Sequence, residues 1–157
     1  MFSKKIDFEQ TAGAILYPDR IIVETRNVQI QYSLSFYSTD NLTILKLNTS
    51  NNELGEAIIA HLNYSKMEGS YSKELRKNYL KILKFKSETA ARKDSRYVSI
   101  FKSNSSIRFE PRNNKVSDGR SGAYYGMPNE IFEIKLQSNM DALGIATRNA
   151  WSKCIFS

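Results

Sequence analysis

The chain has 157 residues, 41% of them apolar and 25% charged, and its 23 Lys and Arg against 16 Asp and Glu give a formal net charge of +7. That length suits one domain able to bury about two-thirds of its unfolded surface. No apolar run approaches the ~20 residues of a membrane helix, the N-terminal residues lack a signal-peptide core, and the single cysteine, Cys154, excludes an internal disulfide; the expectation is a soluble cytoplasmic protein with no membrane partner.

In chain order, Gly13 to Tyr17, Arg20 to Thr25, the strictly alternating Val28 to Phe36, and Leu42 to Leu47 read as strands. Pro18-Asp19 and Thr39-Asp40-Asn41 are turn sequences between them. The first third is thus expected to be an antiparallel meander of about four strands.

A helix follows. Ser50 and Glu53 stand at capping-box spacing, and Leu54, Ala57, Ile58, His61 and Leu62 fall on one face. Gly55 costs such a helix roughly 1 kcal/mol against Ala, which close packing of its first turn on a sheet would justify. The helix should stop before Gly69. A second helix is expected from about Ser70 to Lys86, with Leu75, Asn78, Tyr79, Ile82 and Leu83 inward and Lys73, Lys77, Lys81 and Lys84 on an outer ridge. Residues 87–95 read as a loop.

Strand sequence resumes at Arg96 to Lys102 and Ser106 to Arg112, with Asn104-Ser105 as the turn, and again at Glu130 to Leu136. Between them, residues 113–129 are irregular, with three glycines and the pair Tyr124-Tyr125; a loop of that length in a compact domain is usually functional or mobile. A short strand around Ala123-Tyr124-Tyr125 is the other reading. A last helix opens at Ser138, with Leu143, Ala146, Thr147, Ala150 and Trp151 on one face. Its Leu143-Gly144-Ile145-Ala146 repeats Leu54-Gly55-Glu56-Ala57 at an offset of 89 residues. Strands then helix, twice over, predicts an α+β fold with mainly antiparallel sheets in a single domain, residues 1–157.

Residue chemistry names no reaction. His61, the only histidine, lies on an inner helix face and reads as a hydrogen-bonded core residue; one His and one Cys exclude a Cys/His zinc site within the chain. Cys154, near the end of the last helix, reads as a structural thiol. Gly119, Gly122 and Gly126 fit no nucleotide-binding fingerprint, and no nucleophile motif appears. The chain therefore reads as non-enzymatic, without metal or cofactor.

Charge points to two surfaces. Residues 1–69 hold 6 basic and 8 acidic groups, residues 70–96 hold 9 and 3, and residues 97–157 hold 8 and 5. The excess sits in the middle segment, and either an acidic protein or a polyanion would complement it; a solvated helix face is the plainer alternative. The ridge Lys73, Lys77, Lys81 and Lys84 could follow nucleic-acid phosphates. The long loop offers Arg112, Lys115, Arg120, Tyr124 and Tyr125, types that protein interfaces favour, Lys apart.

Three stretches carry a family resemblance: Leu54 through Ser65; Tyr97-Val98-Ser99-Ile100-Phe101 with Ile107-Arg108-Phe109-Glu110-Pro111; and Met127-Pro128-Asn129 through Leu143-Gly144 to Trp151-Ser152-Lys153-Cys154. Together, from about residue 12 to the end, they resemble the immunity proteins of bacterial contact-dependent growth inhibition (CDI) systems. The resemblance implies a cytoplasmic protein that binds the C-terminal toxin domain of a large exported effector. Some toxins paired with this group are ribonucleases. Neutralisation would follow from blocking the active site or substrate access, with Arg112, Lys115, Arg120, Tyr124 and Tyr125 as candidate contacts. It also implies a fold similar to the plant whirly single-stranded-DNA binders, with two four-stranded antiparallel sheets and helices. A single-stranded nucleic-acid binder on that same fold, using the lysine ridge, is the alternative reading.

Overall fold

In a computed structural model, residues 8–30, 34–68, 71–114 and 125–155 are described. Strands β1 (Gln10–Leu16), β2 (Ile21–Ile30) and β3 (Leu34–Leu45) are followed by helices α1 (Asn51–Tyr64), α2 (Lys73–Ile82) and α3 (Glu88–Arg92). Then come β4 (Arg96–Lys102), β5 (Ser106–Asn113), β6 (Tyr125–Gly126), a 3-10 turn at Pro128–Glu130, β7 (Phe132–Lys135) and α4 (Met140–Lys153).

The fold is α+β, and the described strands make one antiparallel sheet where the sequence suggested two. Its order is β3-β2-β1-β4-β5-β7, and β6 adds two residues to the far end of β5 beside β7. The joint between the expected halves is β1 against β4, paired from Gln10↔Lys102 to Leu16↔Arg96. Thr11 to Ile15 and Tyr97 to Phe101 are buried throughout, as strands covered on both faces must be.

The alternating run Val28 to Phe36 is not one strand. It is the end of β2 and the start of β3, paired from Val28↔Phe36 to Ile30↔Leu34. Each arm alternates, so the run alternates across the connection as well. Thr39-Asp40-Asn41 is not a turn but a bulge within β3, where the register slips between Glu24 and Arg26. Thr39 Oγ1 donates to Thr25 O at 2.8 Å, and Asn41 Nδ2 to Thr25 Oγ1 at 3.0 Å, which satisfies groups the ladder leaves there.

One sheet face packs on α1 and α4. Ala12, Ala14, Val23, Val98, Ile100 and Phe109 meet Leu54, Ile58, Leu62, Leu143 and Trp151 in the larger core. Trp151 Nε1 donates to Ala14 O at 3.1 Å, so the indole is buried with its polar atom paired. The glycine near the start of each helix lies against the other helix, not against the sheet. A Cβ on Gly55 would stand 1.9 Å from Met140 O, and one on Gly144 would stand 2.0 Å from Asn51 O. Asn51 and Met140 are themselves related by the 89-residue offset, so the contact is reciprocal.

Ser50 caps α1, its Oγ accepting from Glu53 N at 3.0 Å. The reciprocal half of the expected capping box is replaced: Glu53 Oε2 accepts from Thr49 Oγ1 at 2.8 Å. Asn139, not Ser138, caps α4, accepting from Ala142 N at 2.8 Å. Helix α2 stops at Ile82, short of Lys86, and Ser87 caps α3 inside the expected loop.

Candidate functional site

The second sheet face carries different chemistry. Strand pairing lines up Ile15, Ile22 and Tyr97 in one row, Gly13, Glu24, Ser99 and Glu110 in the next, and Thr11, Arg26, Phe101 and Arg108 in a third. Helix α2 covers the first row with Tyr79 and Leu83, closing a smaller core. Beside that cover lies a cleft of about 630 Å³, walled by α2, α3 and β3 and floored by Ile15, Tyr97, Glu24, Ser99 and Arg26 from the three rows.

At the floor, Tyr97 Oη donates to Glu24 Oε1 at 2.7 Å, and Glu24 has no exposed surface. Gly13 makes the pair possible. A Cβ there would stand 2.3 Å from Tyr97 Oη and 2.8 Å from Glu24 Oε1, so glycine sits in mid-strand where it normally weakens pairing. Glu24 Oε2 meets no partner in hydrogen-bonding geometry. Burial pushes the Glu24 carboxyl above its ordinary range, while Tyr97, Arg26, Ser38 and Arg76 pull the other way. The same burial raises the Tyr97 and Tyr79 hydroxyls, with Glu24 adding to both.

Four arginines line the same cleft. Arg76, from the inner side of α2, lies over the Tyr79 ring at 4.2 Å and forks onto Glu88 of α3. Burial opposes the Arg76 charge, but Glu88, Tyr79 and Glu24 together outweigh it and raise its pKa; Arg76 in turn holds the Glu88 carboxyl below its usual range. Arg92 stands 3.6 Å from the same Glu88. Arg26 Nη1 and Arg112 Nε both donate to Ser99 Oγ, at 3.0 and 3.1 Å. Burial lowers the Arg112 pKa, Arg26 and Arg108 lower it further, and Glu110, 3.3 Å from Nη2, acts against them.

Of the expected contact residues, Arg112 lines the cleft. Tyr125 joins β6, its backbone paired with Asn113; its side chain, and Lys115, Arg120 and Tyr124, lie outside the described residues. The segment between starts from a fixed point, since Asn114 is buried and its amide donates to Arg92 O and Ser95 O. Lys73, Lys77 and Lys81 are exposed along α2, and Lys84 follows the Leu83 cap at φ 60°. The inner stripe of α2 differs from expectation: Asn78 and Ile82 are exposed, while Arg76 turns inward over Tyr79.

His61 is buried with both ring nitrogens bonded, Nδ1 to Thr25 Oγ1 at 2.8 Å and Nε2 to Thr43 Oγ1 at 2.7 Å. Burial lowers its pKa. Cys154 is buried too, its thiol pushed up by burial and directed at Tyr97 O. Among the described residues, no group of three or more His, Cys, Asp or Glu could hold a metal ion, and no helix is long and apolar enough to cross a membrane.

A family model described as CdiI, CDI immunity protein, matches residues 10–154. The chain belongs to the CDI immunity protein family. No curated protein matches it. Two solved structures share its fold at TM-score 0.74. One, a protein of unknown function, NMB0488 from Neisseria meningitidis, is 19% identical, with 98% of this chain and 99% of that one covered. The other is a chain of the CdiA-CT/CdiI toxin and immunity complex from Yersinia pseudotuberculosis, 16% identical, with 94% and 98% covered.

Within this CDI immunity protein the sequence pointed to Arg112 but not to Glu24, Arg26, Arg76 or Ser99. A signal was present. Ile22-Glu24-Arg26 sets two charges on one face of a strand whose other face is Ile21-Val23-Thr25, and Gly13 sits in the strand that pairs with it. A strand glycine marks a close approach, and here Glu24 and Tyr97 are what approach.

Proposed function

We propose that the chain binds the toxin domain at the C-terminus of a large exported CDI effector and neutralises it by occlusion, without catalysis. The family match over residues 10–154 carries this reading, and a fold shared along nearly its whole length with a chain of a toxin and immunity complex supports it. The toxin is a ribonuclease, and the bound chain covers its active site or the path its substrate takes. The chain works in the cytoplasm, as a single domain, where an incoming toxin must be met.

Contacts come from Arg112 in the cleft and from the segment that follows it, with Lys115, Arg120, Tyr124 and Tyr125. Helix α2 presents Lys73, Lys77 and Lys81 on a different side from Arg76 and Tyr79, so the lysine ridge does not lead into the cleft. That separation favours a protein partner over a strand of nucleic acid.

Co-expression with the toxin domain encoded beside it is the test. The expected result is restored growth, a co-purifying complex, and inhibition that titrates to an endpoint at equimolar chain. Growth arrest in the presence of folded chain, or inhibition that needs only substoichiometric amounts, would sink the proposal.

A further inference from the structure

The floor of the cleft is an incomplete charge arrangement. Two guanidinium groups, Arg26 from β2 and Arg112 from β5, donate to one acceptor, Ser99 Oγ. The two donor nitrogens are therefore no farther apart than those two hydrogen bonds laid end to end, and like charges held so close repel. Arg76 and Arg92 are taken up by Glu88, and Arg112 shares Glu110 with Arg108. Arg26 has no carboxylate within ion-pair distance among the described residues, and its Nε is buried without a partner. Beside it, the wholly buried Glu24 has Oε2 outside hydrogen-bonding geometry, eased only by the nearby Ser38 side chain.

A buried polar group left open costs free energy, typically about 1–3 kcal/mol. Three features at one spot, an open guanidinium, a second guanidinium on the same hydroxyl and an open carboxyl oxygen, mark a place where something binds. An oxyanion fits it. Arginine forks match carboxylate and phosphate oxygens in pairs, and burial shifts the Glu24 carboxyl toward its neutral form, which lessens the negative charge it sets against that anion.

Resting on the immunity reading, we infer that the cleft receives an Asp or Glu side chain of the toxin domain, held between Arg26 and Arg112 above Glu24. A carboxylate is favoured over a phosphate chain on two counts. Binding a polynucleotide takes a basic track, and Lys73, Lys77 and Lys81 do not run into this site. The ring faces of Phe36 and Tyr79 are already occupied by Arg26 and Arg76, at 5.5 and 4.2 Å, so they are not free for base stacking. A basic inhibitor then makes sense, because its partner docks an acidic side chain into it.

The test measures Kd for the inactive toxin domain encoded beside the chain, with wild type, Arg26→Gln, Arg26→Lys and Arg112→Gln. Each variant is melted first, so that loss of fold is separated from loss of binding. Arg26→Gln and Arg112→Gln should weaken binding by ~30-fold or more, as truncating one partner of a buried charge pair does. Arg26→Lys, which keeps the charge but not the fork, should fall between. A Glu24→Gln chain should bind as wild type or tighter. Folded Arg26→Gln and Arg112→Gln chains that bind the toxin undiminished would overturn the cleft site and leave the immunity function standing. Wild-type chain that fails to bind the toxin would overturn both. A short single-stranded oligonucleotide that binds wild type at 150 mM salt and is lost in Arg26→Gln would overturn the carboxylate in favour of a phosphate.

Discussion

Glu24 shows how a single residue can serve a site and tax the fold. Its carboxyl is buried with one oxygen paired to Tyr97 and the other open. Burial raises its pKa in the folded chain, whereas the unfolded chain titrates near the usual ~4.3. Between those two values the folded state holds the proton and the unfolded state does not, so stability present below pH ~4.3 is lost as pH rises through the folded pKa. Glu24→Gln removes the ionisation and keeps the shape. We expect it to stabilise the chain by on the order of 1 kcal/mol at pH 7.5, about 2–4 °C in Tm, and by much less at pH 4.5. Thermal melts of both chains at the two pH values check this, and equal gains would refute the burial account. His61 works in the opposite direction. Its folded pKa is lowered, so its contribution is complete above ~6.5 and fades as pH falls below that value.

At the scale of elements, the pairing of α1 with α4 decides how the larger core closes. Each helix gives up a side chain at one position so that the backbone of the other can approach: Gly55 meets Met140, and Gly144 meets Asn51. Gly→Ala normally helps a helix by roughly 1 kcal/mol. Here the added carbon would press on a carbonyl group, which cannot swing aside as a flexible side chain can. Gly55→Ala and Gly144→Ala should each lower stability by about 2–3 kcal/mol despite the better propensity. The double variant should cost less than the sum, because helices already forced apart have room for the second methyl. Urea titrations of the three chains test it, and additive losses would mean the two contacts are independent. Helix α2 is a contrast. Its lysines face solvent, while Arg76, Tyr79 and Leu83 attach it to the second sheet face. A Lys73→Gln, Lys77→Gln, Lys81→Gln chain should melt within about 1 °C of wild type and still neutralise the toxin, since isolated surface changes stay within ±0.5 kcal/mol. Loss of neutralisation in a growth assay would move the interface to the ridge.

For the molecule as a whole, one sheet separates two unlike halves. The α1/α4 side is an apolar core with Thr25, His61 and Thr43 closing its hydrogen bonds. The other side is half covered, by α2 and α3, and leaves the arginine cleft open. Strand periodicity makes this division, because alternate side chains of β1, β2 and β4 go to opposite faces.

Much of this was legible in the residues. Ser50, the 3.6-residue stripe after it, the Asn104-Ser105 turn and the alternation in β5 are local signals, so helix α1 and the strand pair around Asn104-Ser105 stand where the sequence placed them. The family, too, could be recognised from its core stretches. What stayed hidden depends on pairing across long separations. The merger of two expected sheets rests on Gly13 finding Ser99, and the reciprocal glycine contact rests on helices 89 residues apart. The cleft needs Arg26, Ser99 and Arg112 from three strands to meet at one hydroxyl. Periodicity tells which face a side chain occupies, but not which distant side chain shares it; that is decided by register, which is set only when the whole sheet has formed.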